Sequence, residues 1–105
     1  MSAPATVPVT ITPEAAARVA ELGLQAELER MIEHARQSVP GLRRIEVIQF
    51  ERYDLGGEPG VSLEAYSDQP LEVEHKAWWD WVDWEVTTFP PEVCEHLSLS
   101  IRHEG

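Results

Sequence analysis

The chain has one cysteine, Cys94, among 105 residues. No internal disulfide can form, and a reducing cytoplasm is the expected home. No stretch approaches the run of about 18 apolar residues that a membrane-spanning helix needs. The opening MSAPATVPVT lacks both the basic start and the apolar run of a secretion signal. Cations are scarce, with eight Lys and Arg against nineteen Asp and Glu and a net charge of −11. The deficit is uneven. Residues 1–44 hold five Glu and five Arg, whereas residues 45–105 hold fourteen acids against Arg52, Lys76 and Arg102. That layout excludes the clustered Lys and Arg that a nucleic-acid backbone or an anionic membrane surface requires. It leaves a basic partner, a cation or plain solubility.

Motifs of catalysis are also missing. The segment DLGGEPG (Asp54 to Gly60) has glycines but no Lys-Ser or Lys-Thr after it and no helix start, so it is not a phosphate loop. There is no nucleophile-elbow serine and no Gly-containing calcium loop. Zinc spacing is absent, and no metal or cofactor is implied. Glu72, Glu74, Asp80, Asp83, Glu92 and Glu95 could gather around a cation, though no ligand series orders them. Arg43 and Arg44 form the only basic pair, placed at a strand start where solvent exposure is expected.

Apolar residues make up 43% of the chain, enough for one globular core. Residues 1–11 read as a Pro-rich arm or an edge strand, since Val7, Val9 and Ile11 alternate but Pro8 intervenes. Residues 12–105 read as a single domain. Thr12 as N-cap, Pro13 at the first helical position and Glu14 by the positive dipole end open a helix that Gly23 ends or interrupts. Leu24, Leu28, Met31, Ile32 and Ala35 form one helical stripe, stopped by SVPGL (Ser38 to Leu42). RRIEVIQFERY (Arg43 to Tyr53) is a strand whose alternation slips at Val47–Ile48. That slip marks a bulge or partial cover of both faces. Val61, Leu63 and Ala65 alternate in a second strand, and the Gly-rich loop between the two predicts an antiparallel hairpin. Leu97, Leu99 and Ile101 mark a last strand with one buried face. The order (β)αββαβ predicts an α+β two-layer sandwich, an antiparallel sheet of three or four strands with two main helices on one face. In element order alone it resembles the ferredoxin-like arrangement.

AWWDWVDWEV (Ala77 to Val86) holds all four tryptophans. On a wheel of about 100° per residue, Leu71, Trp78, Val82 and Phe89 share a narrow arc. His75 falls among them and Trp79 and Val86 lie on one flank, which predicts the core stripe. Trp81 and Trp84 fall outside it. Exposed together, and ringed by Asp80, Asp83 and Glu85, they would form an aromatic centre with a polar rim, the anatomy of a contact face. Cover by the N-terminal arm or the 54–60 loop is an alternative. So is a break in the helix, since EVTTF (Glu85 to Phe89) carries β-branched residues.

These features predict a small acidic protein-interaction module that meets a symmetry mate or a basic protein through Trp81 and Trp84. Masking a basic protein as a regulatory or antitoxin-like subunit is one such role. The alternative is a ligand-binding or enzymatic dimeric barrel whose helix–sheet gap is lined by His75, Trp78 and Trp79, with His75 as general acid or base. A neutral core-edge role for His75 is the plainer reading. Cys94 and His96 would share a face if residues 94–96 begin a strand, which keeps a Cys–His pair open. A buried, inert thiol is the simpler expectation.

Overall fold

A computed structural model describes residues 7–51 and 58–104. Among them the chain runs β1 (Val9–Ile11), α1 (Pro13–Leu22), α2 (Gln25–Ser38), β2 (Leu42–Glu51), β3 (Pro59–Ser67), α3 (Leu71–Thr88), α4 (Pro91–His96) and β4 (Leu97–His103). The α+β class holds. The hairpin loop expected at 54–60 lies largely outside the described residues, as does Tyr53 at the end of its first strand.

The sheet order is β1-β2-β3-β4. β2 and β3 pair antiparallel, but β1 runs parallel to β2 and β3 parallel to β4. The sheet is mixed, which corrects the antiparallel, ferredoxin-like expectation. The reason lies in the connections. Each helical segment carries the chain back to the position next to the strand it left, and neighbours joined by a crossover must point the same way. All helices pack into one core on one side of the sheet. The two parallel pairs point in opposite directions while the chain steps the same way across the sheet. The crossovers therefore have opposite hands, and one breaks the strong right-handed preference of βαβ units.

Local chemistry explains the element ends. The Thr12 Oγ1 accepts a hydrogen bond from the Ala15 N–H at 3.2 Å, and Pro13 follows at the first helical position. Gly23 closes α1 in the left-handed region at φ 69°. Gly41, at φ 65°, turns the chain into β2, where a side chain would collide with Asp68 and Gln69. The predicted stripe of α2 is the buried one, with Leu28, Met31, Ile32 and Ala35 in the core and Leu24 packed beside them.

Across the covered sheet face, Ile45, Ala65 and Ile101 stand in one row and Val47, Leu63 and Leu99 in the next. The opposite face carries Arg44, Tyr66 and Arg102 in one row, and Glu46, Glu64 and Ser100 in the next. No bulge occurs at Val47–Ile48, where the register is continuous; Val47 points into the core and Ile48 is half-buried on the other face. Arg43 is exposed beside Asp68, but Arg44 lies 4.0 Å over the Tyr66 ring and pairs with Glu46 and Glu104. Glu64 is buried because Arg102 covers it with two hydrogen bonds, at 3.2 and 2.9 Å, and the Ser62 hydroxyl donates at 2.9 Å.

Trp81 is the largest fully buried side chain of the core. Trp81→Ala is expected to cost about 3–5 kcal/mol in chemical denaturation, whereas Trp79→Ala, half-exposed, costs under about 1 kcal/mol. Equal costs would contradict this orientation of α3.

Candidate functional site

α3 is continuous, and the sequence-derived wheel is turned relative to the structure. Its buried positions are Glu74, Ala77, Trp81 and Glu85. The predicted core stripe faces outward instead: Leu71 is 78% exposed, Trp79 53% and Val86 56%, with His75 also exposed and Trp78 and Val82 half-buried. Phe89 is the residue that misleads. It is buried, but it sits at the helix C-cap in extended conformation, where the wheel no longer applies.

The contact face centred on Trp81 and Trp84 is therefore corrected. Trp81 has no exposed surface. Trp84 is half-buried, stacked on His34 of α2 at 3.8 Å between ring centroids and 5° between planes, with its flank on Phe89. The predicted rim splits as well: Asp80 and Asp83 are exposed, and Glu85 is buried. α3 packs against both the sheet and α2, so it buries two adjacent arcs rather than one. The burial of His34 in that contact lowers its pKa.

The outward stripe overhangs the outer edge of β4. The Trp78 Nε1 donates to the Leu99 carbonyl at 2.8 Å, fastening helix to strand. The Trp79 Nε1 donates to the His75 Nε2 at 2.9 Å, and its ring meets Trp78 edge-on at 4.9 Å. A cleft of about 360 Å³ lies under the N-terminal end of the stripe, lined by Leu71, Glu74, His75, Trp78, Leu99, Ser100 and Ile101. Of the three residues expected to line a pocket, it gathers His75 and Trp78; Trp79 stands outside the lining. His75 is not core-facing as expected.

Glu74 and His103 join this region without any sequence signal beyond their residue types. The Glu74 carboxylate, 4% exposed, lies 3.0 Å from the His103 Nδ1. The hydrogen bond to Glu74 raises the pKa of His103, against a smaller opposing effect of desolvation. The contact ties the end of β4 to the first turns of α3. It could have been found only by knowing that β4 lies beneath α3.

The Cys94–His96 pair is not formed. Both residues lie on α4 rather than at a strand start. Two positions apart on a helix point about 200° from each other. The thiol donates weakly to the Glu85 and Phe89 carbonyls, at 3.7 and 3.9 Å. Burial, then the charge of Glu85, pushes it up, the opposite of an activated nucleophile. The six acids considered for a cation do not converge. Among the described residues, no three His, Cys, Asp or Glu side chains come together to hold a metal ion.

Compared with known proteins, the chain matches no family model, no curated protein and no solved structure. No helix among the described residues is long and apolar enough to cross a membrane.

Glu85 supplies a pH-dependent signature of this packing. It is 5% exposed, its Oε2 has no hydrogen-bond partner among the described residues, and burial raises its pKa to about 7. A carboxyl whose folded pKa exceeds its unfolded value binds more protons when folded. Its contribution is therefore fully present below the unfolded pKa and is lost as pH rises through about 7. Glu85→Gln should stabilise the protein at pH well above this range by on the order of 2–3 kcal/mol and change little in acid. Denaturation curves at several pH values measure this, and an unchanged pH profile would contradict it.

Proposed function

We propose that the chain is a small acidic protein-interaction module, and that its contact face is the outer stripe of α3 rather than the Trp81–Trp84 face. The observation that carries the reading is the way α3 distributes its residues. It buries two carboxylates and leaves Leu71, Trp79 and Val86 in water, three of the four large apolar side chains that are exposed among the described residues. A single exposed apolar residue needs no explanation, but a continuous stripe does. Tryptophan at the middle and charge at the margin, here Glu72, Lys76 and Asp83, match the layout of energetic contact centres. The excess acid of the second part favours a basic protein or an arrangement that sets Lys76 against an acid. A regulatory subunit that masks a basic protein fits that charge.

A second reading draws support from the cleft beside the stripe. His75, Trp78 and the buried Glu74 share it, so a small molecule with an aromatic or cationic part could be held there. The Glu74 carboxylate is engaged by His103 rather than by His75, and the His75 Nε2 by the Trp79 indole, which favours binding over catalysis for that ligand.

The two readings separate in one experiment. Native mass spectrometry of the chain isolated under gentle conditions should show a protein complex, and Trp79→Ser combined with Val86→Ser should release the single chain with its thermal stability nearly unchanged. Complexes that survive the double substitution would overturn the interaction reading. A bound small molecule that is lost in His75→Ala would favour the second.

A further inference from the structure

The outer stripe of α3 has an internal symmetry. Its members Leu71, His75, Trp78, Trp79, Val82 and Val86 run for about 22 Å along the helix. They are placed evenly about a midpoint between Trp78 and Trp79. When a second such helix is laid antiparallel across that midpoint, Leu71 comes level with Val86 and His75 with Val82, and at the centre Trp79 meets Trp79 of the other copy. A surface that complements itself under a two-fold rotation is the requirement for an isologous dimer. The rim agrees. A two-fold rotation brings the same flank of each helix together, and on that flank Lys76, the one cation of α3 and already paired with its own Asp80 at 2.7 Å, comes near Asp83 of the other copy.

We infer that the occupant of this face is a second copy of the chain, docked through antiparallel α3 helices about a two-fold axis at Trp78–Trp79. This rests on the assignment of the stripe as a contact face made above. The adjoining acids and the net charge of −11 oppose self-association. The area offered by one helix face is at the small end for a specific interface. The dimer is therefore weak and tightens as salt screens the like charge.

Sedimentation and light scattering of the full chain, across concentration and salt, test this together with two charge variants. Both substituted positions are mostly exposed, so the fold tolerates them. Leu71→Asp or Val86→Lys alone should weaken dimerisation about tenfold or more, because each sets a charge against an apolar partner. An equimolar mixture of the two should regain a mixed dimer, since one apolar contact is restored and the other becomes an ion pair. A chain that stays monomeric to millimolar concentration overturns the proposal. So does a dimer that ignores both substitutions, or a mixture that shows no recovery. In the monomeric case the contact-face reading still stands or falls on complexes with other proteins lost in the Trp79 and Val86 double variant. The two failures are thus distinguishable.

Discussion

The seating of the Trp81 ring decides the surface of this protein. Full burial of an indole's apolar surface stabilises by on the order of 2–3 kcal/mol, and no other side chain of α3 buries as much. The gain is offset in part here because the Trp81 Nε1 has no hydrogen-bond partner among the described residues. Ala77, one turn earlier on the same face, is small enough to bring the helix close to its neighbours. Trp84 adds its stack on His34. With those rings inside, the angular position of the helix is set. Glu74 and Glu85 are carried inward, and Leu71, Trp79 and Val86 outward. The penalty on Glu85 is limited because the carboxyl can keep its proton near neutrality. Glu74 is accommodated differently, through the His103 imidazole.

The sheet solves a related problem on its uncovered side. A face without helices would leave Glu64 and Tyr66 in water, yet Glu64 is 6% exposed. Arginines on the two flanking strands do the covering: Arg102 over Glu64, and Arg44 over Tyr66. In a chain so poor in cations, these two are spent on internal neutralisation rather than on a basic patch. The long arginine stems shield the sheet while their charged heads stay near solvent. The acid excess is left to α3, α4 and the margins.

Much of the fold was legible because local rules agreed with packing. The Thr12-Pro13-Glu14 start, the stripe of α2 and the alternation of β3 and β4 each carry their own signal, and each element forms near where that signal lies. Strand direction was not legible. The pattern βαββαβ specifies elements but not whether a crossover returns beside its own strand or one position away, and that choice makes this sheet mixed. α4 was missed because six residues give little more than one turn of periodicity, and Leu97 to Ile101 drew the eye to the strand that follows. The site failed for another reason. α3 has two apolar arcs, one through Ala77, Trp81 and Trp84 and one through Leu71, Trp78, Val82 and Val86, so a wheel cannot say which of them faces the sheet, and the buried glutamates defeat any scheme that sends charge outward. His75 and Trp78 were still brought to one cleft, because neighbours along a helix remain neighbours whichever way it is rolled.

The bond from the Trp78 indole to the Leu99 carbonyl reaches beyond this helix. β4 is the last strand of the sheet, and a terminal strand offers its outward amides and carbonyls to any passing extended chain. By engaging one of those carbonyls and hanging its ring over the strand, Trp78 interrupts the row in the middle. At the other end β1 has only three residues. Both margins therefore offer little uninterrupted edge for another extended chain to pair with.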